Sequence, residues 1–256
     1  MSGRFMIESS FCFLPGVGRT IERRLWRQGL VTWTDFLARP SVERISSARK
    51  ALYNEHVAKA MAEYAEHNSR YFGVILPPRE HWRLYDWLRS RAVYLDIETD
   101  SFGHITVVGL YGQGRMTSFV RGESLSAGRL AEALRQYDLL VTFCGTTFDL
   151  PMLLSQYPDL PIDQPHLDVG LLGRRLGYHG GLKAIERQLG IHRGMTLKGM
   201  CGEDAVRCWN RWRHSRNEAA RALLLRYNEA DCVNLEPLAG AFYRLMVQST
   251  RPSSTA

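Results

Sequence analysis

Short apolar runs at residues 92–97, 104–111, 116–120 and 139–143 are dense in β-branched and aromatic residues and too short to be buried helices. They predict four strands, the first three close enough together for hairpins. Elsewhere the apolar residues recur at helical spacing. Residues 19–28 predict a helix that opens at the Pro15-Gly16-Val17-Gly18 turn and closes at Gly29. A longer helical region covers 41–68, with Ser41 as its cap and Val42, Ile45, Ala48, Leu52 and Val57 at its apolar positions. Pro77-Pro78 breaks the pattern ahead of a short helix carrying Trp82, Leu84, Tyr85, Trp87 and Leu88. A further helix is expected from Asp149 through Leu154, another after Gly180-Gly181, and a long one over 217–247. The pattern predicts an α/β fold, a mixed sheet flanked by helices, with a small all-helical module in front of it.

The proline break places a helical module at 1–76 and an α/β domain at 77–248. The Ser/Thr/Pro-rich stretch at 249–256 is expected to be a disordered tail. With 45% hydrophobic residues in 256, the chain can build a sizeable core. No stretch approaches the roughly twenty apolar residues that a membrane span needs, and the N-terminus lacks a signal-peptide layout, so a soluble cytoplasmic protein without a membrane partner is expected. The five cysteines, at 12, 144, 201, 208 and 232, form no C-x-x-C pair. Reduced thiols fit that spacing better than a disulfide framework or a thiolate metal site, with a Cys201–Cys208 redox pair as the alternative to small buried residues. The formal net charge of +7 is a moderate basic bias consistent with a polyanionic partner. Residues 1–90 hold 14 Lys and Arg against 9 Asp and Glu, so most of the excess lies in the helical module.

Four acids and a phenol carry the candidate chemistry. Asp96 and Glu98 stand two apart on the first expected strand, where side chains two apart share a face. Two carboxylates gathered in a partly buried place repel each other unless a cation compensates them, and a divalent metal is the natural partner. Asp149 opens the helix after the fourth strand, where a helix-terminal acid interacting with the macrodipole is the plainer alternative. Tyr227 and Asp231, four apart on the long helix, face one side of it. Carboxylate-only ligation favours Mg²⁺ or Mn²⁺, and two such ions roughly 3.5–4 Å apart would activate a water, bear phosphoryl charge and assist the leaving alkoxide of a phosphodiester. Asp168, in HLDV, suits either the rim of the site or a strand-end cap.

Taken with the linking phrases HLDVGLLGRRL, GGLKAIERQLGI, GEDAVRCW and LLLRYNEADCVNLEPL, these residues resemble the DEDD superfamily of 3′→5′ exonucleases, in the branch with a Tyr four residues before the last Asp. More narrowly, the chain looks like the YprB-type ribonuclease-H-like exonuclease family, over about residues 92–246. The resemblance implies a ribonuclease-H-like fold and metal ligands at Asp96, Glu98, Asp149 and Asp231. It also implies that Tyr227 orients the attacking water. One position departs from the pattern: the family's usual Asn-Gly turn before the second acid is Cys144-Gly145 here.

The expected partner is nucleic acid, as single strands or 3′ ends. In the helical module the PGVG turn resembles a helix-hairpin-helix, in which Gly16 and Gly18 let the backbone approach a phosphate and Arg19, Arg23, Arg24 and Arg27 add contacts. A hairpin that only packs on the catalytic domain fits the same residues. RCWNRWRHSR interleaves Trp209 and Trp212 with Arg207, Arg211, Arg213 and Arg216, so Arg211 and Trp212 are candidates to hold a single strand by charge and stacking. The alternative is a helix with its tryptophans in the core. His179 and His192 read as loop residues. Two rivals to an exonuclease stay open: a binding or assembly protein that keeps the fold without catalysis, and a structure-specific endonuclease.

Overall fold

A computed structural model describes residues 6–197 and 199–250. In chain order the helices are α1 (Arg19–Arg27), α2 (Trp33–Ala38), α3 (Ser47–Ala65), α4 (Ser69–Ile75), α5 (Tyr85–Leu88), α6 (Ala127–Leu134), α7 (Asp149–Gln156), α8 (Val169–Arg175), α9 (Leu182–Gln188), α10 (Gly202–Ser215) and α11 (Glu218–Thr250). The strands are β1 (Ala92–Thr99), β2 (Ile105–Gly112), β3 (Arg115–Val120), β4 (Leu139–Thr142) and β5 (His166–Asp168), in the order β3-β2-β1-β4-β5. β1, β2 and β3 form an antiparallel meander, while β4 and β5 run parallel to β1 on its other side. The result is the expected mixed sheet, flanked by helices and preceded by a helical region.

Alternation along β1 decides where the acids point. Val93, Leu95 and Ile97 pack with Leu130 and Leu134 of α6 and Leu153 of α7 on one face. Tyr94 turns to the other, where Leu235, Leu238, Phe242 and Met246 of α11 share one apolar cluster with Phe11, Trp33, Phe36, Phe72 and Trp82 of the N-terminal region. Asp96 and Glu98, of the same parity as Tyr94, therefore face α11. Above them a third apolar cluster, with Trp209, Trp212, Leu224 and Tyr227, closes α10 and α11 over Val107 and Val120.

Residues 6–84 are tied together by charge as well as by apolar packing. Glu22 of α1 accepts from the Phe11 backbone N–H at 2.7 Å and from Arg83 Nη2 at 2.7 Å. Arg83 Nε donates at 2.8 Å to Glu80, which also accepts from Arg19 Nη2 at 2.7 Å. Arg83 is completely buried.

Several local expectations shift. The long helix of the N-terminal region begins at Ser47, capped by the Ser46 side chain accepting from the Arg49 N–H, rather than at a Ser41 cap. Arg44 breaks the pattern there with a φ of 61°. Residues 78–84 form a 3-10 helix ahead of α5, replacing one short helix. α11 includes Ser249 and Thr250, which their composition assigns to a tail, and 251–256 lie outside the described residues. It also passes through Pro237 without ending. The cysteines are free, Cys208 buried and Cys201 exposed. Among the described residues no helix is long and apolar enough to cross a membrane.

Candidate metal centre

Asp96, Glu98 and Asp231 each offer a carboxylate oxygen, and the three oxygens lie within 4.8 Å of one another. β1 supplies the first two and α11 the third. Close approach of that helix depends on Gly109, which pairs with Asp96 across β1 and β2. A Cβ there would lie 2.1 Å from Asn228 Oδ1 and 2.6 Å from Cys232 Sγ. In the space left by the missing side chain, Asn228 Nδ2 donates to Asp96 Oδ2 at 2.9 Å and to its backbone oxygen at 3.1 Å. Asn228 thus orients Asp96 one helical turn before Asp231.

Asp149 is the first residue of α7 and is 3% exposed. It stands outside the set of three mutually close oxygens but is electrostatically linked to it. Burial raises its carboxyl to about 7, against the lowering effect of its own N–H and that of Ile97. The turn leading into it hangs on Asp168, whose carboxylate accepts from the N–H groups of Cys144 at 2.9 Å and Thr146 at 3.0 Å while also capping α8 through the Leu171 N–H. Asp168 is therefore a cap and a tether for the turn. Cys144 sits at a φ of 59°, in the left-handed region that favours Gly and Asn.

Two cations missed in the sequence reach the acids. Lys183 of α9 donates to the Tyr227 hydroxyl at 2.6 Å and to the Met200 carbonyl at 2.5 Å. Arg193, in the loop after α9, forms an ion pair with Asp231 and bonds Glu186 at 2.6 and 2.7 Å. Neither has a local sequence signature; only Lys183 lies in a phrase already shared with the exonuclease pattern, and Arg193 falls two residues beyond it. Burial, then the charges of Asp231, Glu98 and Asp96, raise the Tyr227 phenol, so it stays protonated. Its oxygen accepts from Lys183, which leaves its own proton for a group in the groove.

Asp96, Glu98, Asp231, Tyr227 and Phe148 line a groove of about 410 Å³, with Gly202, Glu203 and Val206 of α10 also on its wall. A roomier hollow of about 510 Å³ beside Trp82 and Leu171 is mostly apolar and does not include the acid cluster, so size does not locate the chemistry. Asp96 and Glu98 are both pushed well above the carboxylate range, by burial first and then by Asp231 and other acids of the cluster. Burial likewise raises Asp231, opposed by Arg193 and Lys183. Among the described residues four acids share two cations, one of them also engaged by Glu186. An all-oxygen set with that excess of negative charge fits a hard divalent ion.

A pH dependence follows for protein stripped of metal. The unfolded chain releases its carboxyl protons near pH 4, whereas these folded acids hold theirs to higher pH. The stability they contribute is complete below the unfolded values and is lost as pH rises through the folded ones. Chelated protein should therefore melt at lower temperature at about pH 8 than at about pH 5.5. Saturating Mn²⁺ should raise Tm more at the higher pH, because ligands bind deprotonated. Thermal scans in which chelated protein gains stability toward pH 8 would contradict the arrangement.

The proposed nucleic-acid residues fall elsewhere. Gly16 has a φ of 74°, and Gly18 is the N-cap of α1. Arg19 is engaged by Glu80, while Arg23 and Arg211 are exposed. Trp212 is 3% exposed and packs against Trp209 at 5.1 Å, so its ring offers no free stacking face and belongs to the core.

A family model described as the RNase_H superfamily matches residues 93–243, from β1 to the second half of α11. No curated protein gives a significant match. By a match that takes in the strands, Asp149 and all three clustered carboxylates, the chain belongs to the ribonuclease H superfamily.

Proposed function

We propose that this protein is a metal-dependent 3′→5′ exonuclease of the YprB type, acting on single-stranded DNA or RNA or on 3′ ends. The observation that carries the reading is the meeting of Asp96, Glu98 and Asp231 within 4.8 Å at the floor of a groove also lined by Tyr227. Superfamily membership supports a nuclease acting on nucleic acid. Asp96, Glu98, Asp149 and Asp231 would hold two Mg²⁺ or Mn²⁺ ions. When bound, such ions supply an activated water, charge stabilisation at the phosphoryl group and help for the leaving oxygen.

The remaining work falls to the chain's own groups. The Tyr227 hydroxyl, its oxygen held by Lys183, can donate to a water or a phosphate oxygen and fix its orientation. Phe148, 47% exposed beside Asp149, offers an apolar wall to the terminal nucleotide. Asn228 keeps Asp96 turned to the groove. The ties of Glu22 and Glu80 to Arg83 support a packing role for the N-terminal hairpin, with exposed Arg23 free to add a backbone contact.

The test is a gel assay of the purified chain on 5′-labelled single-stranded DNA and RNA with Mg²⁺, Mn²⁺ or EDTA. A ladder shortening from the 3′ end, metal-dependent and reduced roughly hundredfold or more in Asp96→Asn and Asp231→Asn, is expected; changing even an outer neighbour of a metal site costs about 10–100-fold. Cleavage of a circular strand would point to an endonuclease. Intact substrate with a retained band shift would point to a binding protein.

A further inference from the structure

We propose that Arg193 is a resident counter-ion of Asp231 that competes with the divalent ion, so that this arginine sets how tightly the centre takes its metal. The inference rests on the reading of Asp96, Glu98 and Asp231 as metal ligands. Three features separate Arg193 from an ordinary surface pair. Its side chain is only 10% exposed. Its Nε and Nη2 are fixed on Glu186 at 2.6 and 2.7 Å, which leaves Nη1 turned to Asp231 Oδ1. Glu186, on α9, is itself 2% exposed and accepts at 3.0 Å from Asn234 Nδ2, so the anchor of the arginine is tied to α11 three residues beyond Asp231.

The chemistry of the guanidinium sharpens the point. It keeps its charge at any physiological pH and has no lone pair to offer a metal. An entering dication must therefore share Asp231 with a fixed positive charge or displace it, and in either case its affinity falls. Glu186 sets the strength of this competition, because a carboxylate that holds the guanidinium on its far side weakens the grip on Asp231. Removing the arginine and removing its anchor should accordingly change metal affinity in opposite directions. A merely structural salt bridge predicts no such opposition.

Calorimetric titration of Mn²⁺ into the full chain, with Arg193→Gln, Glu186→Gln and the double variant beside it, reads this directly. Arg193→Gln should bind on the order of tenfold more tightly than the parent, in the range of effects that neighbours of metal ligands exert. Glu186→Gln should bind more weakly, and the double variant, which removes the arginine along with its anchor, should bind more tightly than Glu186→Gln. Equal or weaker binding by Arg193→Gln with an unchanged circular-dichroism spectrum overturns the role of Arg193 while leaving the metal centre standing. If Arg193→Gln does not fold, equal affinities for Glu186→Gln and the double variant overturn it instead. If the parent and every variant bind no Mn²⁺, the reading of the acids as ligands fails, and the inference with it.

Discussion

Arg83→Ala should lower the stability of the protein by about 3–5 kcal/mol, the cost of stranding buried charge when one partner of a buried pair is removed. Arg83 is completely exposed to protein and not at all to water, with Glu22 at 1% and Glu80 at 2% side-chain exposure beside it. Burial alone would drive its guanidinium toward neutrality, yet the carboxylates of Glu22 and Glu80 oppose that, so it stays charged. Taking it away leaves Glu22 with the Phe11 N–H and a 3.5 Å contact from the Ser10 hydroxyl, and Glu80 with Arg19, the Trp82 indole and Arg175 at 3.5 Å. For a chain of this size the loss corresponds to roughly 10 °C in Tm. Arg83→Met combined with Glu22→Gln and Glu80→Gln should recover part of it, since the charge is then removed from all three corners. Denaturant unfolding of the parent and the two variants measures this, and a loss below about 1 kcal/mol for Arg83→Ala would mean that water or a shifted Arg19 rescues the acids.

Gly109→Ala is the second large effect. The added carbon would sit 2.1 Å from Asn228 Oδ1 and 2.6 Å from Cys232 Sγ, both on α11, and Asn228 and Cys232 are fully buried. Neither side chain can swing into solvent, so the helix must lift from the sheet. About 3 kcal/mol is expected, toward the upper end for overpacking a filled interior. Because lifting α11 also pulls Asn228 off Asp96 and Asp231 away from Glu98, Mn²⁺ affinity should fall together with stability. Calorimetry alongside thermal melting separates the two: lost stability with unchanged Mn²⁺ binding would show that the acids hold their places without Asn228.

Four of the five strands were legible because each is a short run rich in apolar, β-branched and aromatic residues. β5 was not, since His166–Asp168 is three residues long and only one of them, Leu167, reaches the apolar core. The acids of the site could be named from order and spacing: Asp96 and Glu98 from strand parity, Asp231 from its place on a helix that the pattern showed to be long. Their meeting was not visible in the same way. It depends on Gly109, which looked like an ordinary glycine within a strand, and on Asn228, one polar residue among many on α11. Lys183 and Arg193 escaped for a related reason. Nothing local distinguishes a lysine that reaches a phenol 44 residues away from one that faces water. The tryptophans of α10 left two readings open in the sequence, a stacking surface and a core helix; Trp209 and Trp212 belong to the apolar cluster, and Arg121, Arg213, Arg216 and Arg221 lie over their rings.

The bond from Asn228 to Asp96 closes a loop of 132 residues. Contacts that distant in sequence are the slow ones to make, because chain entropy is lost before any contact energy is gained. A growing polypeptide that has reached β4 already carries Asp96 and Glu98 on a paired strand, but it lacks both the asparagine that steers one of them and the third acid. On the proposed reading, competence to take up a metal would be a late event, a mark of the finished molecule that a chain ending at β4 would lack.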